Sequence, residues 1–428
     1  MSTTSTRGFW PLRDLPVVLW LAATALIALV HPFVPAPRWL MIHLLLLGAV
    51  THAILVWSRH FADALLHTPP RPGDRRRQSA RLLMLNGGVL LVVAGVLTDA
   101  WPVTVTGATA VAGAVAWHAV ALVGQMRRAL PSRFGATVRY YVAAAALLPV
   151  GATLGTVLAR GLGDPLHGQM RLAHATINVL GWMGLTVVGT LVTLWPTMLR
   201  TRMAEGTERA AGRALPVLAG SVVVAATGAL LGVRPVVVVG LLGYLAGLAL
   251  VAVPFVRTAL GKRPSSYPTW SVLAGVAWLT GSLVAMAVGI ATADSWQVAD
   301  ERVSWMTPFL AAGFGAQVLL GALSYLVPMA LGGGPLAVRA ANTVLDRGGA
   351  LRIVAVNGGL LLAVLPVPSL VRVVATSVVL IGLAAFVPLL MSAIRASRRA
   401  KAAQAARVEG ASPLATFGTG PTPETVPN

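Results

Sequence analysis

Long apolar stretches separated by short, mostly basic ones run through this chain from residue 15 to residue 394. A helix needs about 20 apolar residues to cross the hydrocarbon core of a bilayer. Windows of that length fall at 15–34, 38–62, 81–101, 103–126, 138–160, 170–199, 214–233, 235–260, 269–293, 304–331, 348–366 and 368–394. The pattern predicts an all-α integral membrane protein with twelve spans. The links at 101–103, 233–235 and 366–368 are so short that each must join a tight helical hairpin. No interval has room for a separate soluble domain. The expected layout is a segment 1–14, one membrane domain 15–397 and a tail 398–428. The tail is rich in Ala, Gly, Pro and Thr, cannot bury a core, and is expected to be disordered.

Composition agrees with the hydropathy pattern. The chain is 56% hydrophobic and 11% charged, where a soluble domain carries about a quarter charged residues. The net charge of +20 would suggest nucleic acid if it were clustered, but its distribution argues for topology. With the N-terminus cytoplasmic, 27 of the 33 basic residues fall in inner segments. The outer side keeps only Arg38, Arg160, Arg171, Arg234, Arg302 and Arg372. This alternation holds only for an even count of spans placed as above, with both termini inside. The basic run "RPGDRRRQSAR" is expected to meet anionic lipid, and no nucleic-acid role is expected. The lipid bilayer is thus the first partner, in what reads as a bacterial plasma membrane. Cysteine is absent, which excludes disulfides, thiolate metal sites and cysteine nucleophiles.

Glycine and proline recur at a fixed spacing. "GWMGLTVVGTLVTLWP" (181–196) in the sixth span and "GFGAQVLLGALSYLVP" (313–328) in the tenth match at Gly181/Gly313, Gly189/Gly321, Leu191/Leu323, Leu194/Leu326 and Pro196/Pro328. The second span has a weaker version, "LLGAVTHAILVW", with Gly48 set in the place of Gly189. Each step covers four spans, so the twelve divide into three groups of four. The glycine-bearing helix is second in each group.

All eight histidines lie at or before residue 174: His31, His43, His52, His60, His67, His118, His167 and His174. His43 and His174 sit at matched depth, about 6–8 Å inside the outer ends of the second and sixth spans. Two imidazoles so placed suit the axial positions of a b-type haem, or one copper ion. On the sixth span Arg171, His174, Asn178 and Gly181 share one helix face. Arg171 there suits a propionate, and Asn178 a hydrogen bond to a ligand. His31 is a third candidate metal ligand. Met306 occupies the position of His174 in the tenth span and is a candidate thioether ligand. Carboxylate pairs and nucleophile–base arrangements are not visible within the spans.

Twelve helices in three groups of four, with histidines on the second and sixth, resemble the catalytic subunit of haem–copper oxidases. "AHATINVLGWMGLTVVGTLVTLWP" is similar to helices of the NnrS-type haem–copper membrane proteins and of the C-type oxidases. "HLLLLGAVTHAILVWSRHFADALL" (43–66) resembles their second helix and also the membrane domain that some actinobacteria join to a multicopper oxidase. The resemblance implies a haem–copper oxidase subunit I-like fold, with His43 at the haem-ligand position and His174 on the helix that supplies a copper ligand. It also implies a partner, either an extracytoplasmic copper oxidase or another electron-transfer protein. The chain departs from the pattern beyond residue 174, where no histidine occurs and Gln317 is the polar residue of the tenth span. A complete oxygen-reducing centre is therefore not expected. The expectation is a membrane protein holding haem b or copper near the outer face, for electron transfer or for nitric-oxide or copper chemistry. Two other readings stay open. One is a transporter of a small solute or metal, with Asn86, Gln317 and Asn357 lining a path, and the other is a cofactor-free scaffold.

Overall fold

A computed structural model describes residues 11–69, 71–130 and 135–410. These residues are helical with no strand among them. The helices are α1 (Pro11–Val30), α2 (Pro37–Leu66), α3 (Asp74–Leu97), α4 (Trp101–Met126), α5 (Gly135–Leu158), α6 (Leu166–Met198), α7 (Thr207–Leu230), α8 (Arg234–Gly261) and α9 (Tyr267–Ala291). There follow α10 (Trp296–Trp305), α11 (Phe309–Leu331), α12 (Gly334–Leu345), α13 (Gly349–Val364), α14 (Ser369–Ala384) and α15 (Phe386–Gly410). Eleven of the described stretches are long and apolar enough to cross a bilayer, and α14 continues into α15 as one of them. A twelfth is supplied if α12 and α13, bent by 41°, count together. The protein is an all-α, multi-pass membrane protein, and the spans fall where the hydropathy pattern puts them.

Two segments differ from the sequence reading. The interval before α13, read as a loop, is the helix α12, whose buried Ala337, Ala341, Val344 and Leu345 form one stripe packed on α15. The tail read as disordered from 398 continues α15 as helix to Gly410; alanine, the strongest helix former, repeats through it. Residues 411–428 lie outside the described residues, as do residues 1–10 of the N-terminal segment.

Three long helices carry a stretch of π-helix: α2 at Leu44–Val50, α6 at Thr176–Gly184 and α11 at Phe309–Ala316. A π turn displaces the regular hydrogen bonds and releases carbonyls, which a membrane interior requires to be taken up by other donors. Polar side chains do this in all three. Thr51 Oγ1 donates to the Leu46 carbonyl (2.9 Å), Asn178 Nδ2 to His174 (2.8 Å) and Gln317 Nε2 to Gly313 (2.9 Å).

A glycine in each π stretch lets a neighbouring helix close in. A Cβ on Gly48 would come within 2.8 Å of the Trp20 side chain of α1. On Gly181 it would meet Leu147 of α5 at 2.8 Å, and on Gly313 Trp278 of α9 at 2.7 Å. These contacts match Gly48 with Gly181 and Gly313, whereas the sequence comparison had set it opposite Gly189 and Gly321. The surroundings correspond as well. Trp20 Nε1 donates to Asn86 of α3 (2.7 Å), and Asn86 meets His52 Nδ1 (2.9 Å). Trp278 Nε1 donates to Asn357 of α13 (2.8 Å), and Asn357 exchanges two 3.0 Å hydrogen bonds with Gln317. In the middle set the glycine meets only apolar side chains, Leu147 and Val222.

An expected consequence concerns Asn357. Its replacement by leucine strands the Trp278 indole N–H and the buried Gln317 amide, which costs about 1–3 kcal/mol for each unsatisfied group. Thermal unfolding in detergent followed by tryptophan fluorescence should show the loss. Adding Trp278→Leu and Gln317→Leu, which reproduces the apolar middle set, should recover part of it.

Candidate functional site

The second and sixth spans meet at their shared end around a cavity of about 700 Å³. Its mouth is formed by Ala36, Pro37 and Arg38 before α2, by His167 and Arg171 at the start of α6, and by Val303 and Ser304 of α10. Its walls are apolar, from Val92, Val111, Leu148 and Ala152 among others. Its floor is formed by Thr51, Trp182 and Met183, where Trp182 Nε1 donates to Thr51 Oγ1 (3.1 Å).

His43 and His174 both line this cavity. Their ring centres are 6.4 Å apart with 28° between the planes. Each Nδ1 is 2.8–2.9 Å from a backbone carbonyl, Trp39 O for His43 and Gly151 O for His174. The Trp39 and Gly151 carbonyls can only accept, which assigns the proton to each Nδ1 and the lone pair to each Nε2; at His174 the Asn178 Nδ2, 3.3 Å from the same Nδ1, then gives its hydrogen to the His174 carbonyl. Neither Nε2 has a hydrogen-bond partner among the described residues. Imidazoles that bind metals are oriented in this way, by donating the other ring N–H to a carbonyl or carboxylate. Trp39 stacks on the His43 ring at 4.0 Å and fixes its plane. Gly155 permits the position of the second ring, since a Cβ there would lie 2.9 Å from His174 Cε1. The helical spacing explains Trp39, one turn before His43 on the same helix. Gly151 and Gly155 come from α5 and had no sequence signal pointing to His174.

The other candidates have different surroundings. Arg171 lies at the mouth but is bound to Asp300 and to Ser304 of α10. It is an ion-paired residue and not the free cation that the propionate reading expected. Asn178 lines the cavity and spends its amide on the His174 carbonyl and its side-chain volume against Gly151. It supports the π turn that carries His174. His31 is exposed at the end of α1, with Nδ1 on the Ala28 carbonyl, and does not line the cavity. Met306 packs against both the main core and a smaller apolar cluster with Phe309 and Trp278, and is likewise not among the lining residues.

The remaining buried histidines have protein partners. His52 Nε2 contacts the Arg13 carbonyl (3.1 Å) while Nδ1 meets Asn86, and His118 Nε2 meets Ser58 Oγ (2.8 Å). Asn86, Gln317 and Asn357, read above as the lining of a transport path, are held in the Trp20 and Trp278 clusters and do not line this cavity.

Among the described residues no group of three or more His, Cys, Asp or Glu side chains converges as a metal site. The chamber thus presents two imidazole Nε2 atoms at one end of a largely apolar lining. Compared with known proteins, the chain matches no protein-family model and no curated sequence.

Proposed function

We propose that this chain is a membrane haem b protein whose His43 and His174 are the two axial ligands, and that it serves one-electron transfer near the extracytoplasmic face. The observation that carries the proposal is the pair of imidazoles, with both Nδ1–H groups held on carbonyls and both Nε2 lone pairs left to one cavity. With ring centres 6.4 Å apart, the two imidazoles are near enough that both would hold one group placed between them. Two side-chain ligands complete a haem, whose ring supplies the rest. A lone copper ion could also accept two imidazoles, but it would leave most of a 700 Å³ apolar chamber unused. Haem with two histidine ligands supplies reversible one-electron chemistry. The residues of this chain hold the two rings, keep water out with apolar walls and define the open end at Arg38 and Arg171.

The same proposal reads the twelve helices as three related groups of four, in an arrangement like haem–copper oxidase subunit I and NnrS. The matched contacts of Gly48, Gly181 and Gly313 and the three π stretches support it. With the basic segments cytoplasmic, the chamber opens outward, toward an extracytoplasmic electron-transfer partner or copper oxidase. The absence of histidine after His174 argues against oxygen reduction by this chain itself.

The test is a reduced-minus-oxidised visible spectrum with metal analysis on protein purified in detergent from cells supplied with haem and copper. One haem per chain with a low-spin Soret band is expected. Copper without a Soret band moves the proposal to a two-histidine copper site, and neither would overturn it. Gly155→Val checks the geometry from the neighbouring helix. The new branches push the His174 ring off the Gly151 carbonyl, so haem content should fall well below that of Gly163→Val, where a Cβ meets nothing within 4 Å.

A further inference from the structure

The helix α10 lies across the mouth of the histidine chamber, with Val303 and Ser304 among the lining residues. It is not a span, and of its ten residues only Ala299 is buried. Trp296, Val298 and Val303 are only partly buried against the core, and a short helix with one fully buried side chain opens locally at lower cost than a packed span. Polar contacts hold it down. Arg171 of α6 binds the Asp300 carboxylate and the Ser304 hydroxyl. Arg38 donates to the Ser304 carbonyl at 2.5 Å, and Trp296 Nε1 donates to the Gly232 carbonyl at 2.7 Å. Asp300 is thus the carboxylate that fastens the lid to the rim, on an arginine that faces the chamber. The rest of the chamber wall is made of long spans packed along their length, with close glycine contacts between α3 and α4, and these cannot part as cheaply.

We infer that α10 is a gate on the histidine chamber, closed by the Arg171–Asp300 pair, and that ligand reaches His43 and His174 beneath it from the end of the bundle and not sideways between spans. This inference rests on the haem reading above for the identity of the ligand. The chain has no cysteine, so an engineered disulfide is unambiguous. A Cβ on Gly168 of α6 would lie 3.1 Å from Asp300 Cβ, a few tenths of an ångström inside the range of about 3.5–4.5 Å that a disulfide needs.

The experiment is uptake of hemin by full-length, haem-depleted protein in detergent, followed at the Soret band. The oxidised Gly168→Cys/Asp300→Cys protein should load at least about tenfold more slowly than the same protein reduced. Asp300→Asn, which weakens the latch without a cross-link, should load faster than wild type by about three- to tenfold. Equal rates for oxidised and reduced protein, or for Asp300→Asn and wild type, would overturn the gate and indicate lateral access. A wild type that never develops a Soret band fails earlier and removes the haem reading, so the two failures are distinct.

Discussion

Alanine at either His43 or His174 should abolish the low-spin haem spectrum, while alanine at His52 or His118 should leave it intact in whatever protein folds. The four histidines are all within spans, so membrane burial does not separate them. Their hydrogen bonds do. His43 and His174 each keep an Nε2 without a protein partner at the edge of one chamber. His52 uses both ring nitrogens on Arg13 and Asn86; His118 is held by Ser58 through Nε2, and its Nδ1, buried with no hydrogen-bond partner among the described residues, does not line the chamber. In the proposed site, losing one imidazole would remove half of the protein's own bonds to the iron and leave a gap the size of an imidazole. Free imidazole added to His174→Ala should fill that gap and restore the Soret band, which would not follow if the residue served only packing. His52→Ala removes hydrogen bonds worth about 1 kcal/mol each, so its signature should be a lower unfolding temperature with the spectrum kept. The reverse pattern, a spectrum lost in His52→Ala and kept in both His43→Ala and His174→Ala, would place the ligands elsewhere.

Much of this site could be read from the chain alone, because depth in a membrane follows from counting residues along a helix. Equal depth on the second and sixth spans is what pairs His43 with His174 in the sequence. What the sequence did not disclose is what holds the rings. The Gly151 carbonyl reaches His174 from a different helix, and a backbone acceptor leaves no residue-type signature. Arg171 shows the limit of local pattern. Its place on the face of His174 suggested a ligand contact, but its partner Asp300 lies more than a hundred residues away on a surface helix, where no local pattern connects them.

The fold was legible where hydropathy decides, and less so where geometry does. The eleven spans among the described residues, twelve if α12 and α13 count together, need only length and apolarity. The π stretches have no local code, and they shift the register by which helices are compared. By its contacts Gly48 groups with Gly181 and Gly313, and not with the Gly189 and Gly321 that the sequence spacing sets opposite it. A clearer signal was present and unused: "RLLMLNGG" (81–88) and "RIVAVNGG" (352–359) both run Arg, four residues, Asn, Gly, Gly. Their asparagines are the two that hold Trp20 and Trp278. The stripe Ala337, Ala341, Val344, Leu345 was also visible as helical spacing, but the glycines before it and the basic residues around it made the segment look like a loop.

Gly240→Leu should be among the most damaging single changes in the membrane domain, and Gly220→Leu close to neutral. Both glycines are helical, on α8 and α7 of one hairpin, so propensity alone predicts the same result for each, a gain of about 0.5–1 kcal/mol over glycine. Packing separates them. A Cβ on Gly240 would lie 2.6 Å from the Ala225 Cβ and would collide with the Ala225 backbone, whereas a Cβ on Gly220 meets nothing within 4 Å. In a bilayer the lipid is as apolar as leucine, so helices associate through close contact of small residues and not through the hydrophobic effect. A leucine at 240 must push α7 and α8 apart along their tightest point, which costs about 3 kcal/mol or more. Similar small-residue crossings join α3 to α4, where Gly88 meets the Gly107 carbonyl, and α13 to α14, where Gly359 meets the Ala375 carbonyl. The hairpin crossing is thus the same in all three places, with Gly/Gly, Ala/Gly and Gly/Ala facing each other. Gly240→Ala should destabilise too, though less than Gly240→Leu, because its Cβ already meets the Ala225 backbone, and adding Ala225→Gly should relieve only the part due to the Ala225 Cβ. Thermal unfolding in detergent should rank the four proteins with Gly220→Leu highest, then Gly240→Ala with Ala225→Gly, then Gly240→Ala, and Gly240→Leu lowest. Equal stability for the two leucine variants would mean that α7 and α8 do not cross at Gly240.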